Sequence, residues 1–174
     1  VSLSGVDAIR EEALRALERR RRTRSEVATI LRRKGGSAAE FDPVLDRLTE
    51  VGLIDDLQYA RVYLEHRAAG KPRGARLLRS ELQAKGVPGP LIDQALAERR
   101  DEHDPLDDAM KALRPKLNAL SRLPERDRKR KAWEFLARRG FSGDVIERAA
   151  LAAFAAGSGF EAGSGLEATP GLDD

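Results

Sequence analysis

Cysteine is absent from this 174-residue chain, which excludes disulfides and thiolate zinc sites at once. Histidine is scarce, and the two present, His66 and His103, fall in different predicted modules, so no histidine metal site is expected. Aromatic residues number one tryptophan, two tyrosines and five phenylalanines. That is little ring volume for a large sandwich or barrel core, and β-branched runs are nearly missing as well. No apolar run approaches the ~18–20 residues that span a bilayer. Residues 1–6 lack the charged and apolar regions of a signal peptide, which implies a cytoplasmic location and no membrane partner. A phosphate-cradling loop is missing too, because Gly70-Lys-Pro-Arg-Gly74 has the wrong order of residues. No nucleophile stands in a recognisable elbow. The expectation is a protein that is not an enzyme, with no catalytic residue, cofactor or metal.

Charge is what the chain has in excess. Charged residues make up 35% of it, above the usual quarter. Both signs are abundant, as on solvated helices. The net charge is +3, but residues 157–174 hold Glu161, Glu167, Asp173 and Asp174 and no base, which leaves +7 on the rest. A basic body suits an anionic partner, nucleic acid among them.

The second abundant feature is repetition. Leu31-Arg-Arg-Lys34-Gly35, Leu82-Gln-Ala-Lys85-Gly86 and Leu136-Ala-Arg-Arg139-Gly140 each place leucine one turn before a basic residue and glycine. A helix stop recurring at near-constant spacing signals a modular helical array. In the first module, Ile9, Ala13, Ala16 and Leu17 recur at helical spacing. Thr23-Arg-Ser-Glu26 fits a capping box for the next helix. Residues 36–41 lengthen the following turn, and Asp42-Pro43 reads as cap plus first-turn proline. In the second module, Asp55 or Asp56 caps a helix carrying Leu57, Ala60 and Leu64. Ala75, Leu78 and Leu82 carry the next helix, and Leu91, Ile92 and Ala95 the last. Asp104-Pro105 opens the third module, where Pro115 should kink or shorten the first helix. Trp133 is expected to anchor this module's core, and Ser142 to cap its final helix. The predicted fold is all-α: an elongated, curved tandem array of three three-helix modules at residues 1–51, 52–102 and 103–156. Residues 157–174 form a flexible acidic tail. Each module alone is small and marginal, so stacking supplies the missing burial.

Basic residues cluster near the start of each module's middle helix. Arg22 and Arg24 do so in the first module, Arg73, Arg76 and Arg79 in the second, and Arg126, Arg128, Arg130 and Lys131 in the third. These nine are the candidate partner-binding residues. Together they would form a track for DNA phosphate or an acidic protein surface, with a salt-dependent affinity. The alternative for each is a solvated helix face. The cations beside each glycine, Lys34, Lys85 and Arg139, are read as helix-end chemistry, worth ~0.3–1 kcal/mol. Asp55-Asp56 is read as a cap, not a metal pair.

In order and spacing these pieces resemble the RecX family of bacterial recombination regulators. The resemblance rests on Arg22-Thr-Arg24-Ser25, Leu53-Ile54-Asp55-Asp56 with Tyr59-Ala60, Gly74 through Gly86, and Phe135-Leu136-Ala-Arg138-Arg139-Gly140-Phe141. It implies a modulator, mainly an inhibitor, of the RecA recombinase. Such a protein binds RecA or the RecA–single-stranded DNA filament and restrains ATP hydrolysis, strand exchange and co-protease activity. It would act as a monomer, with at most weak direct contact with DNA. A stand-alone basic helix-turn-helix-like DNA-binding protein is the other reading.

Overall fold

The apolar periodicity becomes ten α-helices across residues 5–155, the residues described in the computed structural model. The first module comprises α1 (Val6–Arg19), α2 (Arg24–Arg33) and α3 (Ala38–Glu50). The second comprises α4 (Asp56–Ala69), α5 (Ala75–Ala84) and α6 (Gly89–Glu102). The third has α7 (Pro105–Leu113), a 3-10 turn (Arg114–Lys116), the short α8 (Leu117–Ser121), α9 (Glu125–Arg138) and α10 (Gly143–Ala155). No strand occurs among the described residues. The tail expected at 157–174 lies outside them.

Caps set the helix starts. Thr23 accepts the Glu26 N–H at 3.1 Å, and the Thr23 N–H reaches back to the Glu26 carboxylate at 3.4 Å, completing the anticipated box. Asp55, not Asp56, caps α4 through the Gln58 N–H at 2.8 Å. Asp104 accepts the Leu106 N–H at 2.9 Å, ahead of Pro105 at the first helical position. The start expected at Asp42 is wrong. Ser37 donates both its N–H (3.0 Å) and its hydroxyl (2.6 Å) to Glu40, and α3 begins there. The supposed long turn is thus an added helical turn that buries Phe41 in the core. Pro43 forgoes one helical hydrogen bond without ending the helix. Pro115 acts as anticipated, splitting the third module's first helix at the 3-10 turn.

Each module closes its own core. Ile9, Val27, Leu31, Phe41, Leu45 and Ile54 form the first. Ala60, Leu64, Leu78, Leu82 and Ile92 form the second. The third divides in two, one part around Leu136, Phe141 and Ile146 and the other around Leu113, Leu120, Ala132 and Phe154. Within the second module a bidentate pair clamps α4 to α6: the Arg61 Nε and Nη2 groups donate to Glu98 at 2.8 Å each. These bonds, with a smaller one from Gln94, hold the Glu98 carboxyl at about 2, well below its ordinary 4.5. A depressed carboxylate contributes stability above its unfolded value and loses it as pH falls through the folded value. The clamp should therefore weaken only between pH 4.5 and about 2. A carbon-detected NMR titration of Glu98 checks this, and Arg61→Ala should return the carboxyl to the ordinary range.

The modules meet through backbone at their middle helices. The Lys85 carbonyl, at the C-terminal end of α5, accepts the Thr23 hydroxyl at the N-cap of α2, at 2.7 Å. The Arg139 carbonyl, at the C-terminal end of α9, accepts the Gly74 N–H at the N-cap of α5, at 2.8 Å. The same joint is thus made twice, and each sets a helix's negative end against the next one's positive end. At the first joint the Arg24 N–H also donates to Asp56 at 2.9 Å. Burial pushes that carboxyl upward while the hydrogen bond pulls it back.

Thr23 is fully buried and serves as cap and joint together. Thr23→Val keeps the shape and removes both bonds. The expected loss is about 2 kcal/mol, combining a lost cap with an unpaired carbonyl, and is read from denaturant unfolding.

Candidate partner-binding cleft

The second joint opens on one side into a cleft of about 810 Å3. Arg73 in the turn before α5, with Arg76 and Arg79 on α5, forms part of one wall, and Arg99, Arg100 and His103 at the end of α6 continue it. Opposite stand α9, the turn at residues 140–142 and the first residues of α10, with Trp133 48% exposed on the wall. Trp133 is therefore not the core anchor expected. The third core is built from smaller groups, and the indole faces solvent. This combination of cations and an open ring suits a flat or anionic surface with apolar parts.

Most of the cleft's cations are held in place by acids. Arg73 pairs with Glu81, Arg79 with Asp93 and Arg99 with Asp108. Asp108 is buried, and His103 Nε2 lies 3.6 Å from it. Arg76 donates to the Ala137 carbonyl at 3.0 Å, so it ties α5 to α9. Arg139 reaches the Pro72 carbonyl at 3.3 Å from the other side. Arg100 has no hydrogen bond or ion pair among the described residues and is exposed.

Of the nine residues singled out in the sequence, the cleft gathers Arg73, Arg76 and Arg79. Arg22 and Arg24 lie at the first joint instead. Arg22 donates to the Ala16 carbonyl at 2.9 Å, and the Arg24 guanidinium reaches Asp46 at 2.5 Å and Asp42 at 3.5 Å. The third cluster sits on the first half of α9. Arg128 lies over the Phe154 ring, 5.2 Å from its centroid. Arg130 bridges Asp127 and Glu134 at 3.1 and 3.0 Å. Arg126 and Lys131 have no such partner among the described residues. Sequence reading passed over Arg99, Arg100 and His103. The only signal for them was a basic last turn of α6, which the helix dipole explains equally well.

Lys34, Lys85 and Arg139 also do more than face a dipole. Lys34 pairs with Glu12 at 2.7 Å, and Lys85 lies over the Tyr63 ring. The carbonyls of Lys85 and Arg139 make the two joints.

Three linked three-helix modules, with an open basic cleft at a joint, define a helical-repeat protein. Family models describe its parts by name. RecX first, second and third three-helix domains match residues 10–48, 55–96 and 102–150 respectively. The chain belongs to the RecX family. It is 36% identical to the regulatory protein RecX of Halorhodospira halophila, across 84% of this chain and 89% of that one. With the regulatory protein RecX of Mycobacterium ulcerans the identity is 40%, across 82% and 83%. The crystal structure of RecX from Lactobacillus salivarius shares the fold at a TM-score of 0.77, covering 83% of this chain and 93% of that one at 24% identity. The Halorhodospira and Mycobacterium relatives carry the name of regulatory proteins. No helix among the described residues is long and apolar enough to cross a membrane.

Proposed function

We propose that this protein regulates the RecA recombinase by binding RecA or its filament on single-stranded DNA, chiefly as an inhibitor. Family membership supports the partner. The observation that supports the mode is the cleft at the second joint, where Arg100 and Trp133 are exposed and Arg100 has no carboxylate partner among the described residues. An array of modules meets a partner that itself repeats, so several weak contacts add through high effective concentration. The protein acts as a cytoplasmic monomer without doing chemistry itself. It restrains ATP hydrolysis, strand exchange and co-protease activity by perturbing filament growth.

The test adds the protein to RecA on single-stranded DNA and follows ATP hydrolysis and filament length. Both should fall as the protein approaches stoichiometry with RecA. Unchanged hydrolysis and length at stoichiometric excess would sink the proposal. Tight duplex binding without RecA, with a preference for sequence, would favour the stand-alone DNA-binding reading.

A further inference from the structure

A second groove, of about 350 Å3, lies between α8 and α9, away from the cleft. Its apolar floor is Ala119, Leu120 and Phe135. Its rim carries Lys116, Lys131 and Arg138, all exposed and without a hydrogen bond or ion pair among the described residues. Lys131, Phe135 and Arg138 follow one another at helical spacing, so one face of α9 presents cation, ring and cation. The groove's carboxylate, Glu134, is already taken by Arg130 at 3.0 Å. Three cations that are free among the described residues, over an apolar floor, fit a segment in which acidic side chains adjoin apolar ones.

The chain itself holds such a sequence. Residues 157–174 contain Phe160-Glu161, Leu166-Glu167 and Leu172-Asp173-Asp174, with no base. Each large apolar residue is followed by an acid. Phe154, near the end of α10, packs in the same apolar cluster as Leu120, which floors the groove. The stretch from Phe154 to Phe160 spans ~20 Å when extended, ample for a groove that shares a wall with that cluster.

We propose that residues 160–174 dock in cis on the α8–α9 groove. Their carboxylates face Lys116, Lys131 and Arg138, and their Phe and Leu side chains lie on Leu120 and Phe135. Docked, the segment covers Lys131 and Arg138 and withdraws them from any anionic partner.

The absence of cysteine makes the test direct. In the full chain, Gly171→Cys is labelled with a nitroxide, and backbone amide signals are compared with the reduced label. Amides of Leu120, Lys131 and Phe135 should broaden about twofold at low salt and recover at ~0.5 M, where such charges are screened. Lys116→Glu, Lys131→Glu and Arg138→Glu together should abolish the broadening. None of the three has a partner among the described residues, so the rest of the spectrum should hold. Neutralising Glu161, Glu167, Asp173 and Asp174 as amides should do the same from the other side, with α1–α10 untouched. Three results overturn the proposal: no broadening on α8 and α9, broadening that survives both sets of substitutions, or broadening that arises only between molecules in a mixed sample.

Discussion

Gly140→Ala should loosen the third module from the second. Gly140 has φ +81°, and a Cβ there would lie 2.5 Å from the Leu77 backbone nitrogen. Neither α5 nor the turn can yield without breaking the bond from the Gly74 N–H to the Arg139 carbonyl. A left-handed conformation costs an L-residue roughly 1–2 kcal/mol, and overpacking adds ~1–3 kcal/mol. An overall loss of about 3 kcal/mol follows from those two effects. Gly74→Ala attacks the same contact from the other face, since its Cβ would lie 2.2 Å from the Gly140 carbonyl. Amide exchange separates this from general unfolding. Protection should fall first at the second joint, around residues 74–77 and 140–146, while α1–α3 stay protected longest. Equal loss everywhere would show that the joint is not a separable unit.

The other large effect concerns binding. Arg100→Glu with Trp133→Ala should weaken inhibition of RecA ATP hydrolysis at least tenfold. Both side chains are exposed in the cleft, and neither makes an ion pair among the described residues. Buried aromatic and arginine anchors at interfaces are worth ~2 kcal/mol or more each, so tenfold is a conservative expectation. Unfolding should barely change. By contrast, reversing Arg73 and Arg76 would confuse binding with folding, because Arg73 pairs with Glu81 and Arg76 holds the Ala137 carbonyl. A double variant at Arg100 and Trp133 that inhibits like the parent would move the working surface elsewhere.

Local chemistry made much of this fold readable beforehand. Thr23-x-x-Glu26, Asp55 and Asp104-Pro105 announce helix starts because cap bonds form within four residues. Pro115 announces its break for the same reason. Where two local signals competed, the reading failed: Asp42-Pro43 looked like a start, but Ser37 and Glu40 bond each other first. The site was harder. Spacing puts Arg73, Arg76 and Arg79 near one another, yet only the packing of the third module against α5 makes a cleft beside them. Trp133 shows the limit most clearly. A lone tryptophan on a helix reads as core unless the neighbouring module's position is known. Partner carboxylates such as Glu81 and Asp93 were likewise beyond reach, since many acids stood at plausible spacings.

The chain can also be viewed as a polymer of modules with a chemical rule for growth. At each joint the upstream middle helix offers a hydrogen from its N-cap, from the Thr23 hydroxyl or the Gly74 amide, and the downstream helix caps it with a carbonyl. The third middle helix, α9, has Pro124 at its N-cap. Proline has neither an amide hydrogen nor a hydroxyl to give. Helix α9 therefore does not offer at its N-cap the hydrogen with which Thr23 and Gly74 make the two joints.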